Sequence, residues 1–249
     1  MSLRSMWRQR RQRAEIYSTA DYWDSKARSL KGQAVSMWPN NHLNALYEAE
    51  QREFLDDALG EVAGRDILDV GCGTGRISRY LAGRGARVVA FDFAKDAVEI
   101  AGRTPGPDVT YRVQSVFDLD ERARYDAAVS WGTLTVACRD ERELADALSR
   151  IRAALRPDGT AVLLEPIHRG FLSRVLSMDL PAFCSVMAAQ DFRVERVGQL
   201  HFWPARLALA FYDVPRWITR AGYPIGQGMM KLPGLRGAGD YKAIVARAR

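Results

Sequence analysis

Three glycines spaced by two, Gly71, Gly73 and Gly75, close an apolar run made by Ile67, Leu68 and Val70. Ile77, Tyr80 and Leu81 then recur at helical spacing. Strand, glycine turn and helix together form a device that holds a nucleotide-like ligand at the carboxyl end of a parallel strand. Glycine accepts positive φ there and lets ligand atoms approach the backbone, because no Cβ stands in the way. Asp69, two residues before the first glycine, places a carboxylate where a ligand with an ammonium group is better suited than a pyrophosphate. The dinucleotide pattern G-x-G-x-x-G is not met: counted from Gly71 the sixth residue is Arg76, and counted from Gly73 it is Ser78. A nicotinamide oxidoreductase is disfavoured on that ground.

A second acidic residue supports a nucleoside. The run Ala86 to Phe93 has the composition of a strand that ends at Asp92. Asp92 lies roughly 20 residues beyond the turn, where a carboxylate accepts hydrogen bonds from both ribose hydroxyls.

The segment Asp69-Val-Gly-Cys-Gly-Thr-Gly75, with Asp92 downstream, resembles the first motif of the class I S-adenosylmethionine-dependent methyltransferases. The resemblance runs in order over about residues 60–166. It implies a doubly wound, mostly parallel sheet of seven strands, the last one inserted antiparallel, and S-adenosylmethionine as cofactor. It implies a cofactor set of Asp69, Gly71, Cys72, Gly73 and Gly75 in the turn, Asp92 on the ribose and Phe93 near the adenine. Val109 to Asp120 resembles the third strand and its loop. Relatives carry an acidic residue in that loop, but here Val116 takes its place. The adenine contact is therefore expected from the backbone of Val116 and Phe117, or from Asp118. Tyr125 to Ala137 resembles the fourth strand and its loop, with Trp131 and Thr133 lining the methyl donor or stacking on a substrate. Relatives that methylate quinone-like phenols often show a Leu-His pair there; this chain has Leu134 and Thr135 instead. Leu155 to Pro166 resembles the turn into the fifth strand, with Pro157, Asp158 and Gly159 as turn residues.

Methyl transfer from a sulfonium is an in-line displacement, so the protein supplies proximity, alignment and electrostatics. A general base is needed only for an acceptor that arrives protonated. Of three histidines, His168 follows the expected fifth strand and lies on the ligand-binding edge of the sheet. It is the expected base, with Glu165 as its partner or as a substrate orienter. His42 and His201 are weaker candidates.

The remaining elements are those that must position this edge. Residues 1–60 read as an N-terminal helical lid, with Tyr22 and Trp23 near one helix start. Trp38, Asn40, Asn41 and His42 stand at a break that either lies at the mouth of the site or only starts the next helix. Residues 61–249 read as the methyltransferase domain. Glu141 to Leu155, Leu172 to Leu180 and Pro181 to Ala189 have helical patterns, while Phe192 to Leu200 and Gly239 to Ala248 have strand patterns. Residues 201–235 form an insertion before the last strand, rich in aromatic residues such as Phe202, Trp203, Phe211, Tyr212, Trp217 and Tyr223. It reads as a substrate lid with an apolar pocket, as an interfacial helix in peripheral contact with a membrane through residues 201–220, or as a homodimer contact.

At 249 residues, with 47% hydrophobic and 27% charged residues, the chain suits one α/β domain with appendages. Cys72, Cys138 and Cys184 have no metal-ligand spacing, and reduced thiols in a cytoplasmic protein are expected. No apolar run reaches the length of a spanning helix. The net charge of +6 owes much to Arg4, Arg8, Arg10, Arg11 and Arg13. That tail reads as solvated, with nucleic-acid contact disfavoured because no aromatic-interleaved basic patch accompanies it. An RNA methyltransferase and a noncatalytic cofactor-binding scaffold are the competing functions. The expected activity is methylation of an oxygen or nitrogen on a small, partly apolar acceptor.

Overall fold

The computed structural model describes residues 14–29, 40–210, 214–235 and 237–249. Trp38, Phe211, Tyr212 and the arginines at positions 4, 8, 10, 11 and 13 lie outside them.

Apolar runs buried on both faces make the central strands. These are β1 (Asp66–Val70), β2 (Arg87–Asp92), β4 (Tyr125–Trp131) and β5 (Leu155–Glu165), while β3 (Thr110–Val113) lies at the sheet edge and is only partly buried. With β6 (Phe192–Phe202) and β7 (Gly239–Ala248) they form one sheet in the order β3-β2-β1-β4-β5-β7-β6. β1 to β5 are parallel, and β7 runs antiparallel between β5 and β6. The expected doubly wound sheet with its reversed last strand is therefore present. Strand order reverses between β1 and β4, which opens a crevice outside their carboxyl ends.

The period of two along each strand divides the core. Leu68 and Val70 face one layer, where Leu144, Leu148 and Ile151 of α6 (Glu141–Ala154) and Phe183 of α7 (Leu180–Ala189) pack. Ile67 faces the other layer, where Leu55 and Leu59 of α2 (Asn41–Leu59) meet Ile77 and Leu81 of α3 (Arg76–Gly83). Asp69, between Leu68 and Val70, projects toward that second layer and so reaches α3. Pro157-Asp158-Gly159 forms the expected turn as a bulge inside β5, with Asp158 at φ +58°.

Two local expectations are corrected. Leu172 to Leu180 is not a helix; only Gly170–Leu172 makes a short 3-10 turn. The backbone there is satisfied across the loop instead: Val175 and Leu176 donate to the Thr135 carbonyl, and Gly170 donates to the Ser177 hydroxyl. β6 also runs on through Phe202, paired with Gly239, so His201 belongs to the strand rather than to the insertion.

The insertion folds into α8 (Trp203–Leu209) and α9 (Arg216–Met229), which pack Leu209 and Tyr223 against Leu43 and Tyr47 of α2. Asn40 joins the parts. Its carbonyl oxygen accepts from the His42 and Leu43 N–H groups at the start of α2, and its amide donates to the Leu209 carbonyl and the Thr219 hydroxyl. Of the two expectations for the Pro-Asn-Asn break, the helix cap is the one realised at Asn40.

Asn40→Ala removes the cap and leaves buried partners unpaired. Chemical denaturation is expected to show a loss of about 2–3 kcal/mol, with limited proteolysis attacking α8 and α9 first.

Candidate active site at the carboxyl edge of the sheet

The chain leaves β1 at Val70 and turns through the three glycines into α3. The N–H groups of Gly71 and Cys72 both donate to the Phe91 carbonyl at 2.9 Å. The Gly73 N–H donates to Asp92 Oδ2 at 2.8 Å, and the Ala94 N–H donates to Asp92 Oδ1 at 2.9 Å. The turn is thereby tied to the end of β2, and Asp92 stands across it. Gly71 lies at φ +75°, and a Cβ there would collide with Thr133. Gly73 lies at φ +53°, and its Cβ would enter open space. That space is the cleft, so Gly73 is the position where absence of a side chain leaves room for a ligand. Gly75 does not line the cleft; a Cβ there would collide with the Tyr111 hydroxyl, so its role is packing.

The cleft has two lobes that share Gly71, Asp92, Phe93 and Thr133. The first adds Asp69, Cys72, Gly73, Arg76, Trp131 and, from the N-terminal segment, Trp23. The second is lined by Phe91, Ser115, Val116 and Phe117. Of the residues expected near the adenine, Val116 and Phe117 line this lobe, while Asp118 is exposed and does not line the cleft. α1 (Ala20–Ser29) covers the first lobe. Its Asp24 accepts from the Asp96 N–H at the start of α4 (Lys95–Arg103), its Arg28 pairs with Asp96, and Trp23 packs beside Ala94 and Ala97.

Charge in the cleft is arranged in a definite pattern. Asp69 is buried and accepts from the Ser78 hydroxyl at 2.6 Å. Burial, with the nearby Asp92 carboxylate adding to it, pushes the Asp69 carboxyl up to about 6. Burial also raises Asp92 above the usual carboxylate range, against the two backbone N–H groups it accepts. Arg76 provides a cation on the same wall. Burial lowers its guanidinium from its ordinary value, and Glu48, 3.7 Å away, opposes that. The Trp131 indole N–H is buried and has no hydrogen-bond partner among the described residues.

Arg76 also begins a chain of contacts away from the cleft. It donates to Gln51 Oε1 at 3.0 Å, which turns the Gln51 amide nitrogen toward His201 Nε2 at 2.8 Å. His201 Nε2 must then accept, which leaves the proton on Nδ1, 3.0 Å from Glu50. Glu50 in turn accepts from Tyr223 and from Gln227 of α9. His201 is buried and stacked on Tyr47, so it is a structural histidine. His42 is exposed on the first turn of α2.

The expected pair His168 and Glu165 is not brought together. Glu165 is buried at the end of β5, where it accepts from the Ser130 hydroxyl, the Thr133, Leu134 and Thr135 N–H groups and the Thr135 hydroxyl. It fixes the loop that carries Trp131 and Gly132 and has no contact with His168. Its expected role as partner is corrected accordingly: the side chain after Leu164 points into that loop. His168 lies at the edge of the site rather than on the cleft wall. Its Nε2 is 2.8 Å from the Asp240 carbonyl and 3.3 Å from Asp240 Oδ1. Burial alone would raise Asp240, but His168 and Arg206 hold its carboxyl at about 2.

Sequence reasoning missed Arg76 and Trp23 as cleft residues. Arg76 carried a usable signal: a cation at the first position of a helix opposes the helix dipole, and such a placement calls for a reason outside the helix. Trp23 carried none, because only the docking of α1 brings it to the cleft. Among the described residues no cluster of side chains is arranged to hold a metal ion.

Comparison with known proteins agrees with this geometry. A family model described as a methyltransferase domain matches residues 67–159. A ubiquinone biosynthesis O-methyltransferase from Xanthomonas euvesicatoria pv. vesicatoria is 34% identical over 195 residues, covering 74% of this chain and 72% of the relative. The magnesium protoporphyrin IX methyltransferase of Synechocystis PCC 6803 with bound S-adenosylmethionine is similar in fold, with a TM-score of 0.62 at 15% identity over 95% of this chain and 97% of that one. An S-adenosylmethionine-dependent methyltransferase from Mesorhizobium loti gives 0.59 at 18% identity over 80% and 97%.

With Asp69 in its expected role toward the ammonium group, affinity for S-adenosylmethionine is expected to fall as pH drops through about 6. The effect on folding has the opposite sign. A carboxyl raised in the folded state destabilises the unliganded protein as pH rises from the unfolded value toward about 6. Calorimetric titration from pH 5 to 8 checks the first statement, and Asp69→Asn is expected to bind more weakly with a flatter profile.

Proposed function

The chain belongs to the class I S-adenosylmethionine-dependent methyltransferases, and from that premise we propose that it methylates an oxygen or nitrogen of a small, partly apolar metabolite. The observation that carries this reading is the character of the cleft: carboxylates and a glycine turn at one end, and Trp23, Phe93, Trp131 and Val136 elsewhere on the wall. The O-methyltransferase relatives favour oxygen over nitrogen. The cofactor supplies a methyl group on a positively charged sulfur with a good leaving group, so the protein has to bind, align and exclude water.

The residues present fit the cofactor. Each Asp92 oxygen retains acceptor capacity for a ribose hydroxyl beyond its backbone bond. Phe93, Val116 and Phe117 offer an apolar slot for the adenine. Asp69 suits the amino group and Arg76 the carboxylate of the amino-acid end. Gly71, Cys72 and Gly73 provide the backbone wall, and Gly75 sets its shape from behind. Trp131 sides with the methyl group and the acceptor. The α1 part of residues 1–60 acts as a lid, and the insertion after β6, residues 203–235, as a cap on the methyltransferase domain of residues 61–249.

The acceptor side lies toward β7. The Tyr241 ring stands against Gly132, where a Cβ would be 3.3 Å from its hydroxyl. Arg174, on the loop pinned to Thr135, is within electrostatic reach of Tyr17, Tyr22 and Tyr241. His168 is the base in this reading. A carbonyl oxygen can only accept, so Nε2 donates to Asp240 and Nδ1 remains the basic nitrogen, with the Asp240 carboxylate stabilising the imidazolium.

Calorimetry with S-adenosylhomocysteine, and NADH as control, tests the cofactor roles. Asp92→Ala should weaken binding by about 1.5–3 kcal/mol, and unchanged affinity sinks the ribose assignment. Turnover on a panel of small phenols and amines tests the base. His168→Ala should lower kcat by about 10²–10⁴-fold with homocysteine-product affinity unchanged, and an undiminished kcat removes His168 from the mechanism.

A further inference from the structure

The outer face of the insertion is apolar where most of the surface is not. Trp217 is 72% exposed, Ile225 65%, Leu232 53% and Leu207 47%. Along α9 the exposed positions Trp217, Ala221, Pro224, Ile225, Gly228 and Met229 follow helical spacing and make one stripe. The opposite face of α9 is already used, with Thr219, Tyr223 and Gly226 buried against the body of the protein. The stripe is thus no part of the core.

Among the described residues, charge around the stripe has one sign. Arg216, Arg220 and Lys231 are exposed beside it, and the described residues of 203–239 include no Asp or Glu. Glu50, the nearest acidic side chain beneath the helix, is engaged by His201, Tyr223 and Gln227. Glu53 lies across an open groove from Lys231, away from the stripe.

We propose that this face of the insertion seats on an anionic lipid bilayer, with Trp217, Ile225 and Leu232 at the boundary of headgroups and acyl chains and Arg216, Arg220 and Lys231 on the headgroup anions. An apolar stripe edged by cations, with tryptophan among its residues, is the pattern of a helix lying in that plane. Self-association through the same face would bring the arginines of two copies together, with no carboxylate among the described residues of 203–239 to pair them. The contact is peripheral, since no helix among the described residues is long and apolar enough to cross a membrane. The inference does not depend on which atom the enzyme methylates.

Flotation of the full chain with vesicles tests it, using phosphatidylcholine alone and an equal mixture with phosphatidylglycerol. Binding is expected to the mixture only and to be lost at high salt. Two surface variants locate the contact: Trp217→Ser with Ile225→Ser, and Arg216→Glu with Arg220→Glu. The first should lower partitioning about tenfold or more, the second about fivefold per charge removed. Both should bind S-adenosylhomocysteine like the parent, which separates a lost surface from a lost fold. Failure to float with the mixture overturns the proposal. So does binding that both variants retain, because the arginine-rich N-terminus would then be its source. Dimerisation in the ultracentrifuge that Trp217→Ser abolishes would also overturn it, by giving the face to a second copy.

Discussion

The end of β2 holds the glycine turn. The Phe91 carbonyl takes two backbone N–H groups, from Gly71 and Cys72, and the Asp92 carboxylate takes a third, from Gly73. These bonds fix a backbone that would otherwise be among the most mobile in the chain, since three of its five residues are glycine. They also set the distance across the cleft, because the carboxylate proposed to meet the ribose is the group that ties down the turn. The cleft is therefore preorganised rather than assembled by its ligand.

A second buried carboxylate does the same for the opposite wall. Glu165 gathers five donors, one from the end of β4 and four from the segment after it, and so places Trp131, Gly132 and Thr133. Burial raises its carboxyl, and the backbone and side-chain donors that surround it favour the ionised form. Thr133 then fills the space that a side chain at position 71 would occupy, so the two walls constrain each other. The loop that carries Arg174 is pinned to Thr135, which links that loop to the same anchor.

The insertion is coupled to the cleft by polar contacts rather than by loose apposition. From Arg76 the chain runs through Gln51, His201 and Glu50 to Tyr223 and Gln227 on α9. Asn40 adds an independent tie between α2 and both insertion helices. His201 at φ +62° is one of few non-glycine residues in that region of backbone space, and the Tyr47 stack and the two polar partners hold it there. A cap fixed in this way keeps one face inward and leaves its apolar, cationic face outward.

What was legible in the sequence is local. The glycine turn, the strand ends at Val70 and Asp92, the alternation of strands and helices and the span of the last strand follow from backbone freedom, periodicity and spacing, which neighbours in the chain decide. The roles of Glu165, Arg76 and Trp23 were not legible. Glu165 follows a strand as a catalytic carboxylate would, and only the loop folded over it shows that its lone pairs are already used. Arg76, at the start of α3, is held at the cleft by Gln51 and Glu48 of α2, and Trp23 enters it because α1 docks there, which depends on contacts between residues far apart in the chain. The helix expected at Leu172 to Leu180 failed for the same reason: its backbone donors found partners on another loop. Sequence determined which groups are present and what local geometry each prefers; tertiary structure decided which of them remain free to meet a ligand, because hydrogen-bonding capacity is consumed by whatever packs nearby.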